Sequence, residues 1–176
     1  MKFNIINPFK NIFKTKKTEI IEKSKVNNNY YENNIKWNDT VEFKFPIKGG
    51  KVIKVYDGDT ITIASKLPYD ESPLYRFSVR LKDIDTPEIK GKNISDDEKT
   101  AAILARDFVS NLIIDKFVRL ENIENEKYGR ILADVYYDDI NINSLLLDRR
   151  YAVKYDGKTK IKPISWLKYK QTGDML

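Results

Sequence analysis

Cysteine and histidine are both absent from the 176 residues. Without cysteine there is no disulfide framework and no thiolate nucleophile, and without histidine no imidazole base. Together the two absences exclude the usual zinc sites. Acid–base chemistry is left to Asp, Glu, Lys or Tyr. A resident metal would have to be a hard, oxygen-seeking ion, held by carboxylates and carbonyls. No run approaches the ~18 apolar residues that a membrane-spanning helix needs. Arginine is scarce, at seven against 25 lysines, which gives each arginine position weight.

What is present suits one globular domain with trimmings, at 41% hydrophobic and 33% charged residues. The net charge of +6 is unevenly spread. Residues 1–48 carry +5, residues 49–148 carry −5 and residues 149–176 carry +6. An acidic middle between basic ends fits a carboxylate site on a protein that visits a polyanion.

Residues 1–48 read as a basic, Asn-rich extension, expected to be flexible. The start, MKFNIINPFKNIFKTKK, lacks the apolar core and cleavage site of a signal peptide, so an intracellular place is expected over secretion. Phe3, Ile6, Phe9 and Phe13 lie at near-helical spacing, interrupted by Pro8. Residues 1–17 therefore carry an alternative reading as a weak membrane- or protein-docking helix. Trp37, Val41, Phe43 and Phe45 are expected to form a short strand or to pack on the body. The ordered domain is expected over 49–155, followed by a short basic tail over 156–176.

Within that domain the pattern is β-rich. Val52–Tyr56 and Thr60–Ala64 are β-branched runs meeting at Asp57-Gly58, a hairpin-turn pair. Leu74–Asp83 alternates, with Phe77, Val79 and Leu81 on one face and Arg76, Arg80 and Lys82 on the other. Ser95-Asp96-Asp97-Glu98 reads as a capping box opening a helix, with Ala101, Leu104, Ala105, Phe108 and Leu112 as its buried stripe. Strands Phe117–Ile123 and Arg130–Tyr137 follow, and Ser144 is expected to cap a short helix through Arg150. The order β-β-β-α-β-β-α predicts a mainly β, α+β fold: a five-stranded OB-type barrel with helices.

Three clusters carry chemistry. In Asp57-Gly58-Asp59-Thr60 the turn accounts for Asp57 and Gly58, but not for Asp59 at the start of a β-branched strand. Arg80 runs into Asp83, Asp85 and Glu88, with Pro87 forcing Thr86 into an extended exit. Glu126-Lys127-Tyr128-Gly129-Arg130 reads as a turn with Gly129 left-handed, yet it ends on a scarce arginine. A guanidinium offers the planar fork that matches two phosphate oxygens. Asp59 and Asp85 could hold a divalent cation with a carbonyl and waters, Glu88 could orient a water, and the arginines could clamp a phosphate. That set suits phosphodiester hydrolysis.

DGDT, RLKDIDTPE and EKYGR, in this order and over about residues 49–155, resemble the staphylococcal nuclease (thermonuclease) family. The resemblance implies an OB-type barrel and a Ca²⁺-dependent nuclease acting on DNA and RNA, with products carrying 3′-phosphates. It implies Asp59 and Asp85 as calcium carboxylates and Thr86 as a backbone-carbonyl ligand, with Asp57 near the metal behind them. Glu88 would be the general base or position the attacking water, and Arg80 and Arg130 would bind the scissile phosphate. Lys127 and Tyr128 would contact a terminal phosphate. The family's long C-terminal helix should be reduced here or absent, because the last residues are few and contain Pro163. Tyr155 is a candidate for the family's stacking tyrosine. A monomer is expected. The rival reading is a non-catalytic nucleic-acid or protein-binding module on the same barrel.

Overall fold

In the computed structural model, residues 34–176 are described, so the 1–17 docking segment lies outside the described residues. The described residues divide at Glu42 into a smaller first unit and a larger second one, Phe43–Leu176. In the first, Trp37–Asp39 forms a 3-10 turn rather than part of a strand. The second unit includes residues 156–176, which fold onto the domain instead of trailing from it.

Eight strands and three helices make up the second unit: β1 Gly49–Val55, β2 Thr60–Ser65, β3 Tyr75–Leu81, β4 Ile84–Asp85, α1 Asp96–Ile113, β5 Phe117–Asn125, β6 Ile131–Tyr137, β7 Ile140–Asn141, α2 Ile142–Asp148, β8 Val153–Lys154 and α3 Trp166–Thr172. The main sheet runs β3-β2-β1-β5-β6-β7, and β3 also pairs with β6 in parallel. That extra pairing closes β1, β2, β3, β6 and β5 into a five-stranded barrel, the OB-type α+β fold expected. Closure removes the exposed edges that an open sheet of these strands would present.

Alternation sets the interior. Val52, Ile61, Ile63, Val79, Leu81, Ile131, Ala133 and Val135 are buried, every second residue along their strands. Burying such side chains fully contributes ~1.5–3 kcal/mol each. Ile113 and Val109 of α1 and Ile142 and Leu146 of α2 complete the core. Phe45 meets Phe77 edge-on at 6.1 Å, so this arm packs on the barrel without pairing as a strand.

Helix α1 starts where expected, with Ser95 Oγ accepting from Glu98 N at 3.1 Å. Its buried face differs. Ala101, Ala102, Ala105, Val109 and Ile113 face inward, while Leu104 is 46% exposed. The helix lies so near the Asp57–Thr60 loop that a Cβ on Gly58 would come 2.9 Å from the Ala105 Cβ. Only small side chains allow that approach, so the alanine face wins over the leucine face. Helix α2 is capped by Asn141, whose Oδ1 accepts from Ser144 N at 2.9 Å, and not by Ser144 itself. The reduced C-terminal helix is α3. Its N-terminus docks on α1 through Asp97, which accepts from Ser165 Oγ at 2.8 Å and Trp166 N at 2.7 Å. Trp166 is buried against Ala101 and Val153. Among the described residues, no helix is long and apolar enough to cross a membrane.

Candidate functional site

Strand register puts the two halves of the site together. Thr60 pairs with Arg80 across β2 and β3, and Leu81 N donates to Asp59 O at 2.8 Å. Asp59 therefore lies beside the Arg80 strand end, and Arg80 Nη1 donates to Asp59 Oδ1 at 2.7 Å. The acid just before this β-branched run thus meets a guanidinium from the neighbouring strand.

The chain then turns at Lys82-Asp83, where Asp83 takes a left-handed conformation (φ 61) that Asp tolerates well. Asn143 holds this turn against β6: Nδ2 donates to Lys82 O at 2.9 Å, while Oδ1 accepts from Val135 N at 3.0 Å. From the turn, β4 pairs with β8, with Asp85 opposite Val153. Asp85 is thereby aimed back at Arg80, whose Nη2 donates to Asp85 Oδ1 at 3.0 Å and to Ile84 O at 3.3 Å. One guanidinium thus joins two buried carboxylates. Thr86 is buried next to them and its N–H donates to Asp59 Oδ2 at 3.2 Å.

Gly58 belongs to this packing. The Asp57–Thr60 segment is not the two-residue hairpin turn expected, since β1 ends at Val55 and β2 begins at Thr60. Gly58 has no positive φ. A Cβ on it would meet Thr86 Cγ2 at 2.9 Å, so glycine here admits the Thr86 loop rather than serving a left-handed turn.

Glu88 sits next in the same cluster. Its backbone N–H donates to Glu98 Oε1 at 3.4 Å, and Glu98 is itself buried and accepts from Lys162 Nζ at 2.9 Å. The carboxylate of Glu98 is thus turned from its own helix cap to the Glu88 loop. The Glu88 side chain is 44% exposed and receives Lys160 Nζ at 2.8 Å. The same ammonium lies 2.8 Å from Asp85 Oδ1. Lys160 was not singled out in the sequence: it falls in an aperiodic stretch whose route past Asp85 is set by tertiary packing.

The other expected residues lie around this centre. Arg130 is gripped by Glu126 in a bidentate pair through Nε and Nη2. Ile131 pairs in parallel with Val79, which brings Arg130 to the Arg80 end of β3. Gly129 is left-handed (φ 74), as the turn requires. Lys127 and Tyr128 occupy the exposed tip of that turn, and Tyr128 is 84% exposed. The Tyr155 ring lies 6.0 Å from Arg80 Cζ, held by Tyr155 N donating to Asp83 O at 3.0 Å. Asp57 Oδ1 accepts from Asp59 N at 3.2 Å, behind the paired carboxylates.

The electrostatics follow from burial. Desolvation raises the Asp59 carboxyl to about 7, against the pull of Arg80 and with further upward push from Asp57 and Asp85. Asp57 is raised too, again mainly by burial. Burial would lower Lys160, but Asp85 and Glu88 outweigh it and hold the ammonium above its ordinary value. Arg80 is likewise held charged by Asp59 and Asp85 against desolvation.

Because the Asp59 value is raised in the folded state, the fold binds this proton more tightly than the unfolded chain does. Its stabilising contribution is complete below about 4 and is lost as pH rises through about 7. Asp59→Asn removes that dependence. In the metal-free protein, the stability difference between wild type and Asp59→Asn should therefore shift by about 2–4 kcal/mol in favour of the variant between pH 4 and pH 8. Urea unfolding at the two pH values reads it. An unchanged difference would show that Asp59 carries no burial penalty.

Among the described residues, no three carboxylates gather closely enough to enclose a metal ion. What is gathered is a pair, Asp59 and Asp85, side by side on Arg80, with the Thr86 backbone adjacent and Glu88 sharing a cation with Asp85. The donors are oxygens throughout, and a cationic group already rests between two of the acids. This fits a hard ion held by few protein ligands and completed by water.

Comparison with known proteins agrees with the fold. Residues 78–171 match the model of the family described as staphylococcal nuclease homologue. An uncharacterized endonuclease of Haemophilus influenzae is 35% identical over 105 residues, covering 60% of this chain and 51% of the relative. An uncharacterized endonuclease of Escherichia coli is 31% identical over 108 residues, 61% of each chain. An uncharacterized protein of Methanocaldococcus jannaschii is 30% identical over 159 residues, 77% of this chain and 73% of the relative. This chain thus spans between half and two thirds of the length of the two endonucleases. It belongs to the staphylococcal nuclease homologue family.

Proposed function

We propose that this protein is a nuclease that hydrolyses phosphodiester bonds in DNA or RNA with the help of calcium, by in-line attack of water without a covalent intermediate. The observation that carries the reading is the joining of buried Asp59 and Asp85 on the single guanidinium of Arg80, with Glu88 at its edge. Burying two carboxylates together is costly and is offset only partly by Arg80, and a hydrolytic centre on a polyanion gives both the acids and the arginine a role.

Asp59, Asp85 and the Thr86 carbonyl would hold calcium, which when bound supplies positive charge to the phosphate being attacked. Arg80 is held at the site by three acceptors, and its guanidinium would bind the scissile phosphate through the N–H donors these leave over. Arg130 turns from Glu126 onto the other phosphate oxygens as charge builds there. Glu88 takes the proton of the attacking water while the water oxygen bonds to phosphorus. The P–O5′ bond breaks, the leaving oxygen is protonated from solvent, and a 3′-phosphate remains. Lys127, Tyr128 and Tyr155 would contact neighbouring phosphates and bases.

Hydrolysis should require calcium and be poorly supported by magnesium, because calcium accepts an irregular set of carboxylate and carbonyl oxygens, while magnesium gives up its waters reluctantly. With so few protein ligands, calcium should bind weakly, in the range of ~10⁻⁴–10⁻³ M. The test is incubation of the purified chain with single-stranded DNA and RNA, in calcium, in magnesium and in excess chelator. Undiminished cutting in chelator removes the metal from the scheme. Binding without any cutting, in every ion, would favour the binding-module reading instead.

A further inference from the structure

The geometry points to Lys160 as a tethered cation that competes with the metal ion for Asp85 and so sets the metal affinity of the site. The inference rests on the calcium reading above. Its basis is one ammonium lying 2.8 Å from Asp85 Oδ1 and 2.8 Å from Glu88 Oε1. Asp85 Oδ1 also accepts from Arg80 Nη2 at 3.0 Å, so that oxygen already serves two cationic groups.

Several features show that this is a built arrangement. Asp85 is buried, its β4 backbone is paired with β8 and its carboxylate is held by Arg80, which favours the side chain staying beside the lysine. Lys160 reaches it from the segment between β8 and α3. That segment is fastened at its far end by Lys162 on Glu98, and by Ser165 and Trp166 on Asp97. Two of its lysines thus land on two acids of the Glu88 and Glu98 corner. An ammonium held this way neutralises carboxylates that would otherwise repel each other in the metal-free protein.

A divalent ion held by the Asp85 carboxylate would lie close to the Lys160 ammonium on Oδ1, and like charges at such range repel strongly. Lys160 must therefore leave Asp85 for the site to fill, and its departure also frees the Glu88 carboxylate to meet water. Lys160 and the metal are then reciprocally coupled: each weakens the other at Asp85. Both lysine and Glu88 side chains are 44% exposed, so the coupling belongs at the modest end.

The test is calorimetric titration of the full chain with calcium alone, without substrate. Lys160→Met keeps the chain length and removes the charge, and should bind calcium about 10-fold more tightly than wild type. Lys160→Arg keeps a cation and should stay close to wild type. Lys158→Met loses the same charge two residues away, where no ion pair is formed among the described residues, and should change affinity less than about 2-fold. Equal or weaker calcium binding by Lys160→Met overturns the inference, as does an equal gain in Lys158→Met. Asp59→Asn separates the two readings. If wild type binds calcium and Asp59→Asn does not, the metal site stands and only the lysine is in question. If neither wild type nor Lys160→Met binds calcium, both readings fall.

Discussion

Glu88→Gln is expected to lower kcat by roughly 10²–10⁴-fold and to stay low however much calcium is added. The amide keeps the size and a hydrogen-bonding group but cannot accept a proton at neutral pH. Glu88 is suited to that role because its side chain is half-exposed while its backbone is fastened to the buried Glu98, so the carboxylate faces solvent from a fixed base. Asp59→Asn should behave differently. Asp59 is buried, holds Arg80 and accepts from Thr86 N, so its loss removes a charged ligand from a site that has few. Activity in that variant should partly return at high calcium. Steady-state rates across a calcium series distinguish the two. If calcium restores Glu88→Gln, Glu88 is a ligand, and with no histidine in the chain the base must be another carboxylate or bulk water.

The barrel was legible because its signal is local. Period-two runs such as Ile61–Ile63 and Phe77–Val79–Leu81 carry their own inside and outside, and the interior residues are the ones alternation selects. Asp59, Arg80, Asp85 and Glu88 were legible for a different reason. Asp59, Arg80 and Asp85 are acids or a scarce arginine at strand ends where packing alone would not select them, and strand pairing brings those ends together, while Glu88 follows three residues on in the loop after β4. Of the expected helix stripe, Ala101 and Ala105 are buried and Phe108 and Leu112 pack against the core. Leu104 was misread because apolarity and closeness compete. Leu104 is the more apolar choice, but only the alanine side can approach Gly58 and Trp166. The β1–β2 hairpin across Asp57-Gly58 forms, but its turn type was misread, because a glycine needed for close packing looks the same in sequence as one needed for a left-handed turn.

Contacts made across long separations left no trace. Glu98 reads as half of a capping box, yet its carboxylate serves Glu88 N and Lys162, 64 residues further on. Lys160 meets Glu88 across 72 residues. Neither pairing has a spacing rule, because both depend on where α3 docks. That docking turns on Asp97 and Trp166, and a seven-residue helix gives only a weak periodic signal of its own.

Arg80→Lys and Arg130→Lys should each cut activity by about 10²-fold or more, comparable to deleting one preorganised donor from an oxyanion site. The charge is kept in both, so any loss reports the fork. For Arg80 the structural reason is explicit: Nη1 serves Asp59 while Nη2 serves Asp85 and the Ile84 carbonyl. An ammonium at the end of a lysine is a single point and cannot bridge two carboxylates from one strand position with that geometry. Arg80→Lys should therefore also loosen the carboxylate pair and alter calcium binding. Arg130 differs, because its partner is Glu126 in the same turn and not either acid of the pair. Arg130→Lys should leave calcium affinity close to wild type and lose rate alone. Measuring calcium affinity and kcat for both variants tests the division. Near wild-type cutting by either one means that a point charge suffices at that position, and the bidentate clamp is wrong there.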